Sequence, residues 1–219
     1  MTSRHNHLAA LGITCGVFAL YLVTLSPSVA MWDAGEYIAA ASALGIPHQP
    51  GNPMYVLIAH VAGLIPLSES YAVRINVLAA LSGAMVAGLW FLCGERMLRA
   101  LVPTKWLRFL AAGTGAILGA TAFTVWNQSV VMEKVYPLAL VGLAVVSWLM
   151  VLWFDVADQR RGDGLLVLMA YVCGLTYAIH PAGLLPVAAL AVAALRHRPA
   201  MILRWEVAPV LVGAFRVGA

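Results

Sequence analysis

Among the stretches free of Asp, Glu, Lys and Arg, five are apolar and not broken by a cluster of prolines, at residues 5–32, 75–94, 109–132, 135–154 and 164–195. Each reaches the ~18–20 residues that carry a helix across a bilayer. They are apolar without a period-two alternation, which speaks against barrel strands. A composition of 63% hydrophobic and 10% charged residues, with mean hydropathy +0.90, places the chain among integral membrane proteins rather than soluble domains. The fold class that follows is an all-α polytopic membrane protein with about six transmembrane helices. The formal charge of +4 sits between the spans and not in one patch, so no nucleic-acid partner is expected. Cys15, Cys93 and Cys173 are isolated within apolar runs and read as small buried residues.

Arg4 ahead of an apolar run, with Ser28-Val29-Ala30 after it, resembles a secretory leader. The run from Leu8 to Leu25 exceeds the ~7–15 residues of a leader core and further spans follow, so it is read as an uncleaved first helix. Gly12, Thr14, Cys15 and Gly16 give that helix a face for close packing. The other expected spans are Ala72–Met97, Phe109–Val125, Leu138–Phe154, Leu165–Ile179 and Gly183–Leu195, and Trp205–Ala219 is too interrupted to count. No repeat or linker is visible, so residues 1–219 are expected to form one transmembrane domain. Basic residues gather at Arg4, Arg96–Arg108, Arg160–Arg161 and Arg196–Arg204. These are alternate connections, and the positive-inside rule makes them cytoplasmic along with the amino terminus.

The opposite connections then carry Asp33, Glu36, Glu69, Glu133 and His180. The densest of them runs from Leu25 to Pro53. Asp33 and Glu36, three residues apart, share a face if the turn between them is helical. Asp33–Leu44 can form a short helix, and Met54–Ile65, bracketed by Pro53 and Pro66, is too short to span and reads as interfacial or re-entrant. Two acids so placed can act as a general base, ligate a metal through oxygen, or orient a partner. Spacing alone does not separate these. His48, His60 and His180 are candidate ligands, each with a hydrogen-bonded structural role as the plainer reading. Arg74 can pair with a phosphate or serve as an interface anchor. Gly51 and Asn52 read as turn residues, and Glu133–Lys134 as an exposed ion pair.

Tyr21-Leu22-Val23-Thr24-Leu25-Ser26-Pro27-Ser28, Trp32-Asp33-Ala34-Gly35-Glu36-Tyr37, the run from Leu44 to Tyr55, Arg74-Ile75-Asn76 and Glu133-Lys134-Val135-Tyr136-Pro137-Leu138 occur in this order. Together they resemble a bacterial and eukaryotic membrane family catalogued as domain of unknown function 2723, similar to the transmembrane protein O-mannosyltransferases of the GT-C glycosyltransferase class. Gly174-Leu175 and His180 echo a later element of that family. Two departures stand out: His48-Gln49-Pro50 replaces His-Pro-Pro, and Asn52 stands where an aromatic is common.

The resemblance implies a GT-C-like amino-terminal core with interfacial helices in the first outer loop, and a chain that is the first part of a longer architecture. It implies a membrane glycosyltransferase passing a mannose-like sugar from a polyprenyl-phosphate donor to an extracytoplasmic protein or glycan acceptor, at the cell inner membrane. Asp33 matches its catalytic acid and Glu36 that acid's partner. Tyr37, His48, Arg74, Glu133, Lys134, Tyr136 and His180 are the expected donor- or substrate-binding residues. A divalent metal is compatible with the acids, no other cofactor is expected, and membrane lipids complete the partners. The rival readings are a non-catalytic binding, transport or assembly subunit, or an inactive truncated copy.

Overall fold

The computed structural model describes residues 4–131, 134–197 and 207–218. They are helical throughout, with no strand among them: α1 (Arg4–Val23), α2 (Ala34–Ala43), α3 (Pro53–Gly63), α4 (Tyr71–Leu98), α5 (Lys105–Thr121), α6 (Phe123–Val130), α7 (Val135–Trp153), α8 (Arg160–Ile179), a 3-10 turn (Pro181–Leu184), α9 (Leu185–His197) and α10 (Val207–Gly218). Helices α1, α4, α7 and α8 are long and apolar enough to cross a membrane, and α5 with α6 makes a fifth span if the bent pair counts as one. The expected polytopic class is what forms. The segment expected as a sixth span, the 3-10 turn with α9, runs from Pro181 to His197 and is shorter than these. The described residues fall into two compact units, Met1–Val141 and Gly142–Ala219.

In the first unit, α1 packs along α4. The contact is made by small residues on α4, where Ala80, Ala84 and Gly88 recur every fourth position and Ala80 and Ala84 are fully buried. A Cβ at Gly88 would meet Thr14 Oγ1 and the Ala10 carbonyl, 3.0 Å away. Of the four residues expected to form this seam from the α1 side, Thr14 does, but Gly12, Cys15 and Gly16 are exposed, and nothing lies within 4 Å of a Cβ at either glycine. Asn6, Ala10, Val17 and Tyr21 form the buried face instead. Cys93 and Cys173 are buried as expected, and Cys15 is not.

Both ends of α4 are tied down. At its carboxy-terminal end, buried Glu95 accepts a hydrogen bond from Asn6 Nδ2 of α1, from Arg99 Nη2 at 2.8 Å and from Arg108 Nε of α5 at 3.2 Å. Arg108 Nη1 also donates to the carbonyls of Val102 and Pro103. At the other end, Asn76 Nδ2 donates to the carbonyls of Ser26 (2.8 Å) and Ser28 (3.1 Å), and Ser26 N donates to Val130 O of α6 (3.1 Å). A 28-residue helix is about 42 Å long at 1.5 Å per residue, so the charged cluster and the segment 25–53 lie at opposite ends of the unit.

The run expected as one span to Val125 breaks at Ala122, where α5 and α6 meet at 61°. Neither proline nor glycine occupies the break. The Ala120 carbonyl near it is satisfied from outside the helix by Tyr21 Oη, which donates at 2.7 Å. Trp126 Nε1 donates to Thr24 Oγ1 at 3.0 Å, fixing α6 against the end of α1. Gly83 leaves room here, since a Cβ would collide with Ser129 and press on Tyr21.

The second unit is built on a core of Val146, Trp153, Leu166, Met169 and Cys173, with Ala193 and Ala194 of α9 and Phe215 of α10 packed against it. Gly142 of α7 admits the Thr176 side chain of α8. Gly183 is needed for the same reason, because a Cβ would strike the backbone at Thr176 and Tyr177.

Candidate functional site

The segment between α1 and α4 forms two short helices, α2 and α3, joined by residues 44–52. Helix α2 ends because Leu44 turns left-handed (φ 51°), and Gly45 N closes back on Ala40 O at 2.9 Å. Gly51 (φ 90°) and Asn52 (φ 44°) also have positive φ, and Pro53 opens α3. Asn52, read above as a turn residue, is nearly fully buried, and its Oδ1 accepts a bond from Tyr37 Oη at 3.2 Å. His60 Nδ1 lies 2.8 Å from the Ala41 carbonyl, which couples α3 to α2. At eleven residues, α3 is the short, non-spanning helix expected.

This loop brings His48 onto Glu36. The His48 backbone N–H donates to Glu36 Oε1, and His48 Nδ1 lies 2.9 Å from Glu36 Oε2. Bonds from the His48 side chain, then from its backbone, hold the Glu36 carboxyl below the usual carboxylate range. The imidazole stacks edge-on against buried Tyr37 (centroids 5.5 Å apart), and Tyr37 stacks on Tyr55 in turn (5.2 Å). Asp33 stands at the N-cap position of α2, but its carboxylate makes no capping bond. It remains available for the site, and ligand atoms of Asp33, Glu36 and His48 lie within 4.8 Å of one another. Trp32 beside it is 73% exposed with φ 64°, a conformation that costs energy in a bulky residue.

Other expected site residues have different positions. Arg74 turns its guanidinium to protein: Nε donates to Ser68 O at 2.7 Å and Nη1 to Gly63 O at 2.9 Å, which closes the connection between α3 and α4. Lys134 is buried, and its Nζ donates to Val131 O at 3.0 Å. Burial pulls its ammonium down to about 8. Glu133 lies outside the described residues. Tyr136 is half-buried in the first turn of α7. His180 belongs to the second unit, where its Nδ1 accepts from Ala182 N at 3.1 Å and caps the 3-10 turn. Burial lowers its pKa.

Asn52 and Asn76 were not singled out as site residues from the sequence. Both are fixed by partners far along the chain, and local pattern carries no sign of those partners.

Compared with known proteins, residues 33–202 match the family of the protein O-mannosyl-transferase TMEM260 N-terminal domain. That match begins at Asp33 and includes Glu36, His48 and Lys134. Protein O-mannosyl-transferase TMEM260 of Mus musculus is 28% identical over 171 residues, which are 76% of this chain and 22% of the mouse protein. The chain therefore spans about a fifth of that relative's length. No solved structure matches it. The extent of the family match, over three quarters of the chain, places this polytopic helical protein in the TMEM260 protein O-mannosyl-transferase N-terminal domain family.

Proposed function

We propose that this chain is the amino-terminal, site-bearing part of a membrane O-mannosyltransferase. It takes mannose from a polyprenyl-phosphate donor and passes it to a hydroxyl of a protein acceptor on the extracytoplasmic side. The observation that carries this reading is the convergence of Asp33, Glu36 and His48 within 4.8 Å, at one end of a bundle and inside the family-matched segment. Asp33 accepts the proton of the acceptor hydroxyl as its oxygen attacks the anomeric carbon. The bond from that carbon to the donor's phosphate oxygen breaks with its electron pair on the phosphate, and a single displacement inverts the anomeric centre. Glu36 and His48 hold each other beside Asp33.

The departing phosphate needs positive charge. Arg74 is engaged by two backbone carbonyls, whereas the Lys134 ammonium has one carbonyl partner and two further N–H donors, so the role is assigned to Lys134. A buried ammonium is costly to keep, and residues retained at such cost are characteristic of function. Because its pKa is lowered, folding is penalised wherever Lys134 must stay charged, fully below pH about 8, and the penalty fades as pH rises toward the unfolded value. Lys134→Met is therefore expected to raise Tm at pH 7, with the gain shrinking above pH 8, while weakening donor binding at least tenfold. Differential scanning fluorimetry and donor titration on one preparation read both. Lower stability with unchanged donor binding would make Lys134 structural.

The orientation is tested by cysteine labelling with an impermeant reagent in a background lacking the three native cysteines. Ser70→Cys is expected to label from outside and Asp163→Cys only after permeabilisation. The reverse pattern would put the site in the cytoplasm and remove a polyprenyl-phosphate donor facing outward.

The break between α5 and α6 favours a second reading, since transporters place sites at discontinuous helices. The residues at this break, Thr121, Ala122 and Phe123, are not ionisable, and Tyr21 occupies the Ala120 carbonyl. Both observations favour surface chemistry over an ion path.

A further inference from the structure

We propose that Asp33, Glu36 and His48 form a binding site for a divalent cation of the Mn2+ class, with open positions for the donor's phosphate oxygens. The glycosyl-transfer reading enters only in what the cation would serve, not in whether it binds. The donor set is two carboxylates from the start of α2 and an imidazole from the loop twelve residues on, so it is not a patch of acids on one surface. Around an ion with ligands at about 2.1 Å, adjacent octahedral ligands lie about 3.0 Å apart and opposite ones about 4.2 Å. Without a cation, His48 Nδ1 and Glu36 Oε2 share a hydrogen bond of 2.9 Å. That length matches the adjacent-ligand spacing, so an ion that displaces the shared proton needs little rearrangement. Ligand atoms of all three residues lie within 4.8 Å of one another.

Charge and access agree. The two carboxylates carry two negative charges, which a divalent ion balances. Mixed oxygen and nitrogen ligation suits Mn2+ or Zn2+ better than the all-oxygen preference of Ca2+. Three protein ligands leave half an octahedron open, and the Glu36 and His48 side chains are 43% and 45% exposed, so a phosphate can reach those positions. The supporting contacts are built in: Tyr37 packs on the imidazole and is itself held by Asn52, the kind of outer contact that orients metal ligands. Asp33 does not cap its helix. One carboxylate oxygen can face the ion while the other meets the acceptor hydroxyl.

The test is titration of the purified, detergent-solubilised chain with Mn2+, read as loss of the free-ion electron paramagnetic resonance signal. One saturable Mn2+ per chain is expected, with affinity at least tenfold lower in Glu36→Gln and in His48→Gln and unchanged in Ser68→Ala. Circular dichroism and Tm verify that each variant is folded. Absence of saturable binding to the folded wild-type chain overturns the proposal, and so does binding that both variants leave unchanged. Transfer measured with and without EDTA separates the two readings. Transfer that persists in EDTA sinks the cation's part in holding the donor phosphate, whereas Mn2+ binding by a protein that moves no sugar from any polyprenyl-phosphate donor sinks the glycosyl-transfer reading alone.

Discussion

Asp33→Asn is expected to lower sugar transfer by about 10²–10⁴-fold, the range lost when a general base is removed, with donor affinity within a few-fold of wild type. The amide preserves size and hydrogen bonding but cannot accept the acceptor's proton. The side chain makes no capping bond, so the substitution removes no contact on which α2 depends, and Tm should hold. A loss in kcat without a matching loss in donor binding is the pattern of an interaction made only in the transition state. Glu36→Gln should cost less if Glu36 only orients its neighbours, and comparably if both acids hold the cation. The assay belongs in a full-length homologue as well as in this chain. An unchanged rate for Asp33→Asn in an active homologue would end the assignment of Asp33 as the base.

The largest expected effect on stability is at the other end of the first unit. Glu95→Ala should cost roughly 3–5 kcal/mol, because it leaves two guanidiniums facing a buried space without their anion. That corresponds to a fall in Tm of roughly 6–20 °C for a chain of this size. Glu95 is 1% exposed and joins α1, α4 and α5 through Asn6, Arg99 and Arg108, so its loss should loosen three helices at once. Replacing Glu95, Arg99 and Arg108 together by apolar residues should recover much of the stability, since a buried ion cluster exchanged whole is often near neutral. Thermal unfolding in one detergent compares the three proteins. A Glu95→Ala variant as stable as wild type would show the cluster to be solvated.

Helices α1, α4, α7 and α8 were legible in the sequence because hydropathy and length are local properties. The short α3 followed from Pro53, Pro66 and the residues between, and the acidic pair from its spacing. Packing faces were not legible. Gly12 and Gly16 look like a helix seam, yet the small residues that form it belong to the partner helix, at Ala80, Ala84 and Gly88. Glu95 reads as one more charge in a basic connection until the distant Asn6 and Arg108 are seen around it. The break at Ala122 is invisible to pattern because no proline or glycine marks it, and the Ala120 carbonyl beside it is satisfied by Tyr21, 99 residues away. Within the site, His48 was a candidate on residue type, but its pairing with Glu36 depends on the left-handed turns at Leu44 and Asn52. Nothing in the spacing predicts those.

Purified protein in lipid vesicles, given labelled mannose on a polyprenyl phosphate or on a nucleotide together with a protein acceptor, tests the central claim most directly. The account predicts protein-linked label from the polyprenyl-phosphate donor, abolished by Asp33→Asn. Label drawn from the nucleotide sugar instead, or none from a full-length homologue that binds the polyprenyl-phosphate donor, would contradict it.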